Sequence, residues 1–470
     1  MTQRGQRTAV MLVLVVAATA GVATRQNPRN TAARGTEGFN VRAVAAGLAN
    51  PWEVTWGPDD RLWITERTGL RVTRVNPADG SRRVALTLDD VYQTTSIQDG
   101  LMGLALHPDL LQGRGRDWVY LAYTYDADPG ATIARRLRVR RYTYDRASET
   151  LGAPQTVLDN LPAHDDHGGG RILVGPDGKL YLSRGDMGSN WLANYCNAIH
   201  SQDLPTAAQV AARDWTTYQG KILRLELDGS IPADNPTING VRSHVYSYGL
   251  RNTQGLVFGP NGMLYGAEHG PSTDDEIDLL QAGKNYGWPH VAGYNDDRSY
   301  AYANWSASTT PCRSLTFNSL TPPPSVPQTK ESAWSHPDFV PPMVTLFSAP
   351  AGYDLGKMGG TTIGPGSIDL YDSPAIPGWR QSLLVTGMRT GAVYRVKLSA
   401  DGRNVDGAPL EYFRGPTRYR DTAVAPDGRR IFVVTDNAGT LADAQNRRID
   451  VLEYPGTLLE FSYTAAAARN

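Results

Sequence analysis

A histidine and an aspartate in two glycine-containing segments could carry out acid–base chemistry. His167 lies in AHDDHGGGRI and is a candidate general base, because a neutral imidazole can accept a proton near neutral pH. Asp186 follows 19 residues later in LYLSRGDMGSN and could orient an imidazole and stabilise its protonated form. Taken alone, a structural histidine and an ordinary aspartate at a strand end are at least as common. The two residues therefore indicate a catalytic site only in combination with other features of the sequence.

A second region, EHGPSTDDEIDLLQAGKNYGWPHVAGYNDD, combines acidic side chains with turn residues. Hard cations such as calcium take about six to eight oxygens, from carboxylates and backbone carbonyls. Four carboxylates could contribute: Asp274, Asp275, Glu276 and Asp296. Their spacing is not that of an EF-hand, so a solvated acidic loop is an equal alternative.

Three arginines in strand-like segments could bind an anion. Arg418 and Arg420 in TRYRD are two residues apart, and on a strand such residues face the same way. Their guanidinium groups could bind a carboxylate with paired hydrogen bonds. Arg389 lies in the similar segment GMRTGAVYR. Because 40 of the 46 basic residues are arginine, a single arginine is weak evidence for an anion site.

These residues need a scaffold that gathers distant segments, and a repeated phrase predicts one. Proline, then Asp or Asn and often Gly, precedes an alternating strand in five segments, which begin at Trp56, Leu106, Val174, Phe258 and Val424. Each segment reads as a tight turn feeding a strand. The last interval between the prolines, 166 residues, is about twice the preceding one of 84 residues. We therefore expect a degenerate sixth copy near Ser382 to Gly402.

Six sheet units without helical patterns predict a six-bladed β-propeller over residues 40–465, with long loop insertions on one face. Two or three separate β-sandwiches are the alternative. We expect the last strand-like run, from Gly456, to pair with the run from Pro51 and close the ring. The loops at one end of such a ring converge, so the site is expected there.

Composition and the N-terminus limit the class of protein. A net charge of -1 excludes a nucleic-acid or anionic-membrane binder held by bulk charge. Arg4 and Arg7, an apolar run and small residues predict a signal peptide over residues 1–23, followed by a flexible segment at 24–39. No later run is long enough to span a membrane, so a secreted or periplasmic mature protein is expected.

Cys196 and Cys312 are the two cysteines of the chain. They form no CxxC pair, and no CxxCH haem motif is present. In an oxidising compartment they could form a disulfide, but two unrelated thiols are about equally compatible with the sequence.

Long phrases along the chain match one family in register. Among them are DGLMGLALHPD, DHGGGRILVGPDGKLYLSRGD, YQGKILRLELDGSIPADNP, GLRNTQGLVFGPNGMLY, EHGPSTDDEIDLL and GKNYGWPHVAGY. They span about Leu48 to Tyr463 and resemble the soluble quinoprotein glucose dehydrogenases. These are secreted six-bladed propellers that use pyrroloquinoline quinone (PQQ) and calcium.

The resemblance implies roles for individual residues. His167 would take the proton of the sugar's anomeric hydroxyl while hydride goes to the quinone, with Asp186 as its partner and Gln98 as a sugar contact. Arg251 and Asn252 would lie over the reactive quinone carbonyl. The residues implied to hold the carboxylates of the cofactor are Arg389, Arg418 and Arg420, with Asp436 nearby.

The resemblance also implies calcium sites and an assembly. The backbone carbonyls of Gly270 and Pro271 would bind an active-site calcium that also touches PQQ. A second, structural calcium pair would be bound by oxygens of Asp275, Glu276, Tyr286, Ala292, Tyr294, Asp296 and Glu331. The family dimerises through this region, so a homodimer is expected.

Three departures from the family pattern concern the cofactor and the sugar. Arg389 replaces a lysine, which keeps the charge and changes the geometry. Between Ala351 and Ser367 the loop is shorter and lacks an aromatic pair that walls the sugar. Trp191 stands where the family has a glutamine, and our hypothesis is that it supplies a substitute apolar wall.

The function that these observations imply is oxidation of an aldose sugar at the anomeric hydroxyl to the lactone. Electrons would pass to an external acceptor, a cytochrome or a quinone, because the chain has no haem motif and no GxGxxG loop after a strand. Two alternatives stay open: a calcium-dependent hydrolase of the lactonase type, and a non-catalytic carbohydrate-binding propeller. The arginine doublet favours the dehydrogenase, because a hydrolase of neutral lactones needs no anion site.

Overall fold

The computed structural model describes residues 32–94, 98–128, 130, 132–355, 361–443 and 446–464. The predicted signal peptide at 1–23 lies outside these residues. Six four-stranded antiparallel sheets follow one another along the chain, with a short fifth strand on one of them. Their innermost strands form a closed ring, each next to the innermost strand of the following sheet. The fold is therefore the predicted six-bladed β-propeller.

The blades are numbered in chain order, with strands given from the inside outward. Blade 1 consists of Pro51–Trp56, Leu62–Glu66, Arg71–Val75 and Arg82–Thr87. Blade 2 consists of Leu101–Leu106, Trp118–Asp126, Arg135–Asp145 and Thr150–Pro162. Blade 3 consists of Ile172–Val174, Leu180–Arg184, Lys221–Leu225 and Val245–Tyr248. Blade 4 consists of Thr253–Phe258, Leu264–Glu268, Asp275–Leu280 and Val344–Leu346. Blade 5 consists of Pro365–Tyr371, Ser382–Gly387, Ala392–Lys397 and Leu410–Tyr412. Blade 6 consists of Tyr419–Val424, Arg430–Thr435, Leu458–Thr464 and Gly38–Ala45.

The repeated proline phrase is the turn between the first and second strands of a blade. In VGPDGKLYL, the Gly178 N–H donates to the Gly175 carbonyl at 2.9 Å, and Gly178 has a φ of 72°. The left-handed region favours glycine, but Asp60 adopts it at the same place in blade 1, with a φ of 54°. Blade 5 lacks the phrase, and its second and third strands, Ser382–Gly387 and Ala392–Lys397, lie where the degenerate copy was expected.

The ring closes through a different strand from the predicted one. Leu458–Thr464 pairs with Gly38–Ala45, so the first part of the chain supplies the outer strand of blade 6. Pro51–Trp56 cannot do so, because it is the innermost strand of blade 1. Part of the predicted flexible segment at 24–39 is likewise paired, since Ala33–Arg34 runs parallel to the outer strand of blade 5. Residues 24–31 lie outside the described part of the chain.

The core consists of six apolar clusters, one at each interface between neighbouring blades. At the interface of blades 6 and 1, for example, Val54 and Ile64 pack with Phe432 and Val434. Each blade is buried on both faces, which explains why strands such as LWITE are buried at every position. The blades therefore fix one another's positions around the ring.

Two long insertions connect strands within blades: residues 185–220 in blade 3 and residues 281–343 in blade 4. The first contains a short α-helix, Ala207–Ala212, which is N-capped by Thr206. The 3₁₀ turns lie at Leu192–Asn194, Trp305–Ala307, Cys312–Ser314 and Glu331–Ala333. Three two-stranded sheets pair Thr237–Ile238 with Val241–Arg242, Ala301–Ala303 with Gln328–Lys330, and Leu441–Ala442 with Arg448–Ile449. No helix within the described ranges is long and apolar enough to cross a membrane.

A disulfide links the two insertions. Cys196 and Cys312 are 116 residues apart in sequence, with an S–S distance of 2.00 Å and a Cα–Cα distance of 5.7 Å. The structure thus decides between the two possibilities that the sequence left open. Tyr195, next to the first cysteine, donates its hydroxyl to the Leu315 carbonyl at 2.6 Å.

We predict that removing the outer strand of blade 6 destabilises the ring. A chain that begins at residue 46 loses the partner of Leu458–Thr464, and it loses Phe39, whose ring lies 5.4 Å from that of Trp379 and 4.9 Å from that of Phe413. The free energy of unfolding in urea should fall by at least about 3 kcal/mol, the usual cost of deleting a packed phenylalanine. A chain that begins at residue 32 is the control. Equal unfolding midpoints for the two chains would contradict this account of closure.

Candidate active site

The antiparallel order of the strands places two kinds of loop at one end of the ring. These loops join the second strand to the third and the outer strand to the next blade, whereas the proline turns lie at the opposite end. We call the first end the site end. The predicted catalytic and cofactor residues all lie in its loops or at the adjoining ends of strands: Gln98, His167, Asp186, Arg251, Asn252, Gly270, Pro271, Arg389, Arg418, Arg420 and Asp436.

His167 and Asp186 form a buried pair at the site end. The Nδ1 atom of His167 is 2.7 Å from Oδ1 of Asp186, and the two side chains are 8% and 1% exposed. The indole N–H of Trp288 donates to the other oxygen of Asp186 at 2.8 Å. The Nε2 atom of His167 lies 3.6 Å from Asp166, beyond hydrogen-bonding distance, and so can accept a proton from a ligand. This is the geometry of a base oriented by a carboxylate.

Gln98 and Asn252 fix the backbone of this histidine. The Gln98 side-chain carbonyl accepts from the His167 backbone N–H at 2.9 Å and from the Asn252 amide at 3.0 Å. Its amide donates to Asp166 at 2.7 Å. The backbone of His167 has a φ of 47°, in the left-handed region that is unfavourable for this residue type, and these bonds hold it there.

Arg251 adjoins the same pair. Its backbone carbonyl accepts from the Asp186 N–H at 2.7 Å, and its Nη1 donates to the His269 carbonyl at 3.2 Å. Its guanidinium carbon lies 5.2 Å from the ring centre of Trp288. The Nε atom is buried and has no hydrogen-bond partner among the described residues. An anionic or quinone oxygen is the kind of acceptor that would satisfy it.

His269 links the acid–base pair to the arginine doublet. Burial, together with the positive charges of Arg251 and, more weakly, Arg420, lowers the pKa of His269 to about 3. Its Nε2 lies 2.7 Å from the Pro365 carbonyl, to which a neutral imidazole donates. His269 therefore lies between the two groups as a neutral side chain.

Arg418 and Arg420 share one buried carboxylate. Asp436 accepts from Nη2 of Arg418 at 3.1 Å and from Nε of Arg420 at 2.9 Å. Burial opposes the ionisation of Asp436, but the charges of Arg420, Arg418 and, more weakly, Arg67 outweigh it and lower its pKa. Burial and the charge of Arg420 in turn lower the pKa of Arg67 to about 10. Several guanidinium groups thus act on one carboxylate, which fits a site for a polyanionic ligand.

Arg389 belongs to the same electrostatic group. Burial lowers its pKa, and its charge contributes to lowering the pKa of Arg418. Its Nη2 donates to the Asn446 side chain at 3.2 Å. The predicted arginine set is therefore brought together, with Arg67 as an additional member.

Gly270 and Asp275 form a tight loop beside His269. The Gly270 N–H donates to Oδ1 of Asp275 at 2.9 Å. The other oxygen of Asp275 accepts from Thr362, Ile363 and Gly364. Burial raises the pKa of Asp275 to about 6. The loop leaves the Pro271 carbonyl without a backbone partner in the described chain, while the Gly270 carbonyl accepts from Ser272 at 3.0 Å.

The carboxylate of Asp275 points to a different face of its strand from that of Glu276, another residue of the implied structural calcium set. Successive side chains of a strand point to opposite faces, so its carboxylate faces Gly270 while that of Glu276 points away. Glu276 accepts from the Gly293 N–H at 2.6 Å, and Glu331 accepts from the Ala292 N–H at 2.9 Å. The Asp275 carboxylate therefore points away from these acids, and the assignment of an Asp275 oxygen to the structural calcium pair stays a prediction.

The remaining acids do converge around the backbone of residues 292–297. Burial, with the charges of Asp296 and Asp274, raises the pKa of Glu331 to about 7, and burial raises that of Glu276. Burial is the main cause of both shifts and neighbouring carboxylates add to it, so a cation bound beside these acids would favour their ionised forms. Tyr294 lies near these acids, whereas Tyr286 turns its hydroxyl to the Leu279 carbonyl at 2.6 Å.

Side chains alone do not complete a metal site there. No three His, Cys, Asp or Glu side chains are grouped as metal ligands in the part of the chain that the structure describes. Any cation would therefore need the backbone carbonyls that the resemblance implies, such as those of Ala292 and Tyr294.

Three residues of the site were missed from the sequence. His269 and Trp288 lie inside the family-like motifs EHGPSTDDEIDLL and GKNYGWPHVAGY, but residue spacing alone predicts no contact for either side chain. Arg67 follows the strand LWITE, and its position at the site end follows only from the blade order.

Trp191 is half-buried at the site end. Its ring centre lies 5.8 Å from the Arg251 guanidinium carbon, and the hypothesis that it supplies a substitute apolar wall for the sugar stays a prediction. The loop between Ala351 and Ser367 includes residues 356–360, which lie outside the described part of the chain.

The chain matches the protein family described as Glucose / Sorbosone dehydrogenase over residues 48–317 and 356–443. It is 39% identical over 452 residues to quinoprotein glucose dehydrogenase B of Acinetobacter calcoaceticus, covering 93% of this chain and 94% of that protein. It is 27% identical over 409 residues to aldose sugar dehydrogenase YliI of Escherichia coli strain K12, covering 85% and 90%.

The fold is also similar to that of a solved relative. The structure of the PQQ-bound form of aldose sugar dehydrogenase from Streptomyces coelicolor has a TM-score of 0.62 and 26% identity, covering 91% of this chain and 99% of that one. Because the family match and these relatives span most of the chain, it belongs to the glucose/sorbosone dehydrogenase family of oxidoreductases.

Proposed function

We propose that this protein uses PQQ and calcium to oxidise aldose sugars at the anomeric hydroxyl, giving the lactone. The observation that carries the proposal is the buried His167–Asp186 pair, 2.7 Å apart, at the same end of the ring as the buried arginines. The first group suits proton abstraction, and the second suits a ligand with several carboxylates. The names of the relatives in Acinetobacter, Escherichia and Streptomyces support this combination.

The residues present fit PQQ, a flat quinone with three carboxylates. Arg389, Arg418 and Arg420 would hold the carboxylates, and the unpartnered Nε of Arg251 would bind a quinone oxygen. When bound, PQQ supplies the acceptor for two electrons.

The chain's own residues handle the proton. Oxidation removes a proton from the anomeric oxygen and a hydride from the anomeric carbon, which leaves the lactone carbonyl. His167 takes the proton at Nε2, because its Nδ1 is engaged by Asp186. Asp186 then stabilises the imidazolium, and Trp288 holds the second oxygen of that carboxylate in place.

Calcium would occupy two regions in this proposal. The carbonyls of Gly270 and Pro271 would bind one ion beside the arginines, where it would polarise the cofactor as a Lewis acid. The carboxylates of Glu276 and Glu331, whose pKa values burial raises, would bind the structural ions together with nearby carbonyls.

The proposal also covers location, acceptor and assembly. A disulfide between Cys196 and Cys312 suits an oxidising compartment, which supports secretion or export to the periplasm. Electrons would leave to an external acceptor, a cytochrome or a quinone. A homodimer remains an expectation from the family resemblance.

Reconstitution tests the function directly. We expect the purified protein with PQQ and calcium to reduce a redox dye when an aldose is added, and to lose this activity when either PQQ or calcium is left out. Lactone hydrolysis without PQQ would instead identify a hydrolase. Sugar binding without turnover in the reconstituted protein would identify a carbohydrate-binding propeller.

The role of the buried pair predicts a loss of kcat. Asp186→Asn should lower kcat by at least about 100-fold, because the amide cannot stabilise the imidazolium. PQQ binding, followed by absorbance, should change little. The control is Asp203→Asn, which alters an exposed His–Asp pair with the same 2.7 Å separation and should leave kcat intact. Similar kcat values for the two variants would refute the assigned role.

The arginine group predicts a stability effect in the protein without cofactor. Asp436→Ala leaves Arg418 and Arg420 buried without their shared partner, so the free energy of unfolding should fall by about 3 kcal/mol. Asp450→Ala, which removes an exposed partner of Arg448, should leave the urea midpoint unchanged. Equal midpoints for both variants would show that the charge cluster is not buried as described.

A further inference from the structure

A cleft between blade 2 and the blade 3 insertion has no role in the function proposed above. One wall comes from the end of the outer strand of blade 2 and the loop that leads to His167, and the other comes from residues 187–219 of the insertion. Its volume is about 660 Å³, within the roughly 300 to 1,000 Å³ that is usual for small-molecule sites. The cleft can therefore hold a small organic ligand.

Two buried cations lie under the floor of this cleft. Arg184 and Lys221 are register partners on the second and third strands of blade 3, so their side chains share one face of the sheet. Leu182 and Leu223, two residues further along each strand, pack in the apolar cluster between blades 2 and 3. Both cations are 0% exposed, so two positive groups lie at the edge of an apolar interface.

Each cation contacts the floor of the cleft through backbone carbonyls. The Nη2 atom of Arg184 donates to the Pro162 carbonyl. The Lys221 ammonium donates to the His200 carbonyl at 3.0 Å and to the Gln219 carbonyl at 2.7 Å. Pro162, His200 and Gln219 all line the cleft. A layer of backbone therefore separates both charges from the cleft.

The charge of Arg184 lacks an anionic partner. Its Nε and Nη1 atoms are buried and have no hydrogen-bond partner within the described ranges. Burial alone lowers the pKa of Arg184 to about 9, so no described carboxylate offsets its charge. Burial also lowers the pKa of Lys221 to about 7, against the weaker effect of the Asp203 charge. Buried positive charge of this kind is unfavourable until an anion approaches it.

The side chains of the lining suit an anion that also carries hydroxyl groups. Arg136 lines the cleft from blade 2, where its Nε donates to Asn160 at 3.1 Å. Thr216 and Gln219 offer neutral donors and acceptors for hydroxyls. Asp214 also lines the cleft and opposes an anion. The positive charge of Arg136 and the two buried cations outweighs that of this single carboxylate.

Two histidines of the lining already lie beside acids. The Nδ1 atom of His164 is 2.9 Å from Asp165, and the Nδ1 atom of His200 is 2.7 Å from Asp203. Attraction of an anion therefore depends on Arg136 and on the two buried cations.

The cleft adjoins the segment that holds Asp186. Met187 and Ser189 line the cleft, and between them the Gly188 N–H donates to Oδ1 of Asp186 at 3.0 Å. The same oxygen contacts Nδ1 of His167. The cleft therefore lies next to the reaction centre, outside the groups assigned to proton transfer.

We propose that this cleft binds a small polyhydroxy carboxylate, the sugar acid that forms when the lactone product takes up water. In that hydrolysis the ring C–O bond at the carbonyl carbon breaks and the oxygen of water bonds to this carbon. The former ring oxygen takes one proton of the water, and the other proton is released. The carboxylate would lie beside Arg136 and above Arg184 and Lys221. The source of the ligand rests on the proposed sugar oxidation, whereas the anion site rests on the buried cations.

Calorimetric titration of the PQQ-loaded protein tests this site. PQQ would occupy the arginines of the proposed cofactor site, so a second carboxylate has to bind elsewhere. We expect sodium gluconate to bind at fixed ionic strength, and sorbitol, which lacks the carboxylate, to bind at least about tenfold more weakly. Saturating methyl β-glucoside, which is blocked at the anomeric oxygen, should leave the gluconate affinity within about twofold.

Variants locate the bound anion. Arg184→Met and Arg136→Met should each weaken gluconate binding at least about tenfold, whereas Asp214→Asn should strengthen it. Without gluconate, Arg184→Met should not lower the urea midpoint, because the charge that it removes is unpaired. Arg116→Met is the control, because it makes the same change at an arginine that is 54% exposed at the opposite end of blade 2. It should bind gluconate as the unmodified protein does.

Four outcomes would overturn the proposal. Equal affinities for gluconate and sorbitol would show that the carboxylate is not recognised. Unchanged gluconate affinity in both Arg184→Met and Arg136→Met would place the anion elsewhere, and displacement by methyl β-glucoside would place it in the sugar site. Binding of inorganic phosphate without binding of gluconate would contradict the ligand class. Circular dichroism of each variant shows that the comparison concerns folded protein.

The same titrations of the protein without PQQ separate this inference from the proposed function. If no aldose is oxidised but gluconate binding still depends on Arg184 and Arg136, the proposed function fails and the anion site stands. If aldoses are oxidised but no variant changes gluconate binding, the function stands and the anion site fails.

Discussion

The burial of several guanidinium groups around one carboxylate is the constraint on which the site depends. Arg418 and Arg420 both bind Asp436, and Arg67 adds its charge from blade 1. Buried positive charge of this kind is unfavourable unless anions neutralise it. In the proposed function, the carboxylates of PQQ do so, and the cofactor thereby completes the electrostatics of the folded protein.

The propeller makes that arrangement possible because adjacent blades pack closely against each other. Arg67, Asp186 and Asp436 come from blades 1, 3 and 6, and each follows the second strand of its blade. The six apolar clusters between the blades hold these strand ends in place. The site end can therefore combine a base, an anion group and carbonyl oxygens from loops that are distant in sequence.

The insertions add side chains to the site that the strands of the blades do not supply. Trp288 reaches the site because residues 281–343 return along blade 3, where the Trp288 N–H donates to the Gly249 carbonyl at 2.8 Å. The Cys196–Cys312 disulfide fixes the second insertion against the first. The ring thus positions the acid–base pair and the arginine group, while the two insertions form the surface beside them.

The sequence by itself determined the repeat of turns and strands, and hence the six blades, because proline, aspartate and glycine set local dihedral angles that need no distant partner. It also indicated His167, Asp186 and the arginines as chemical groups. Only the tertiary structure decided that Gly38–Ala45 closes the ring, that the Asp275 carboxylate turns toward Gly270, and that Cys196 bonds to Cys312. It alone placed Arg67, His269 and Trp288 at the site. These features arise from contacts between segments far apart in the chain, and a local pattern of residues carries no information about which distant surfaces meet.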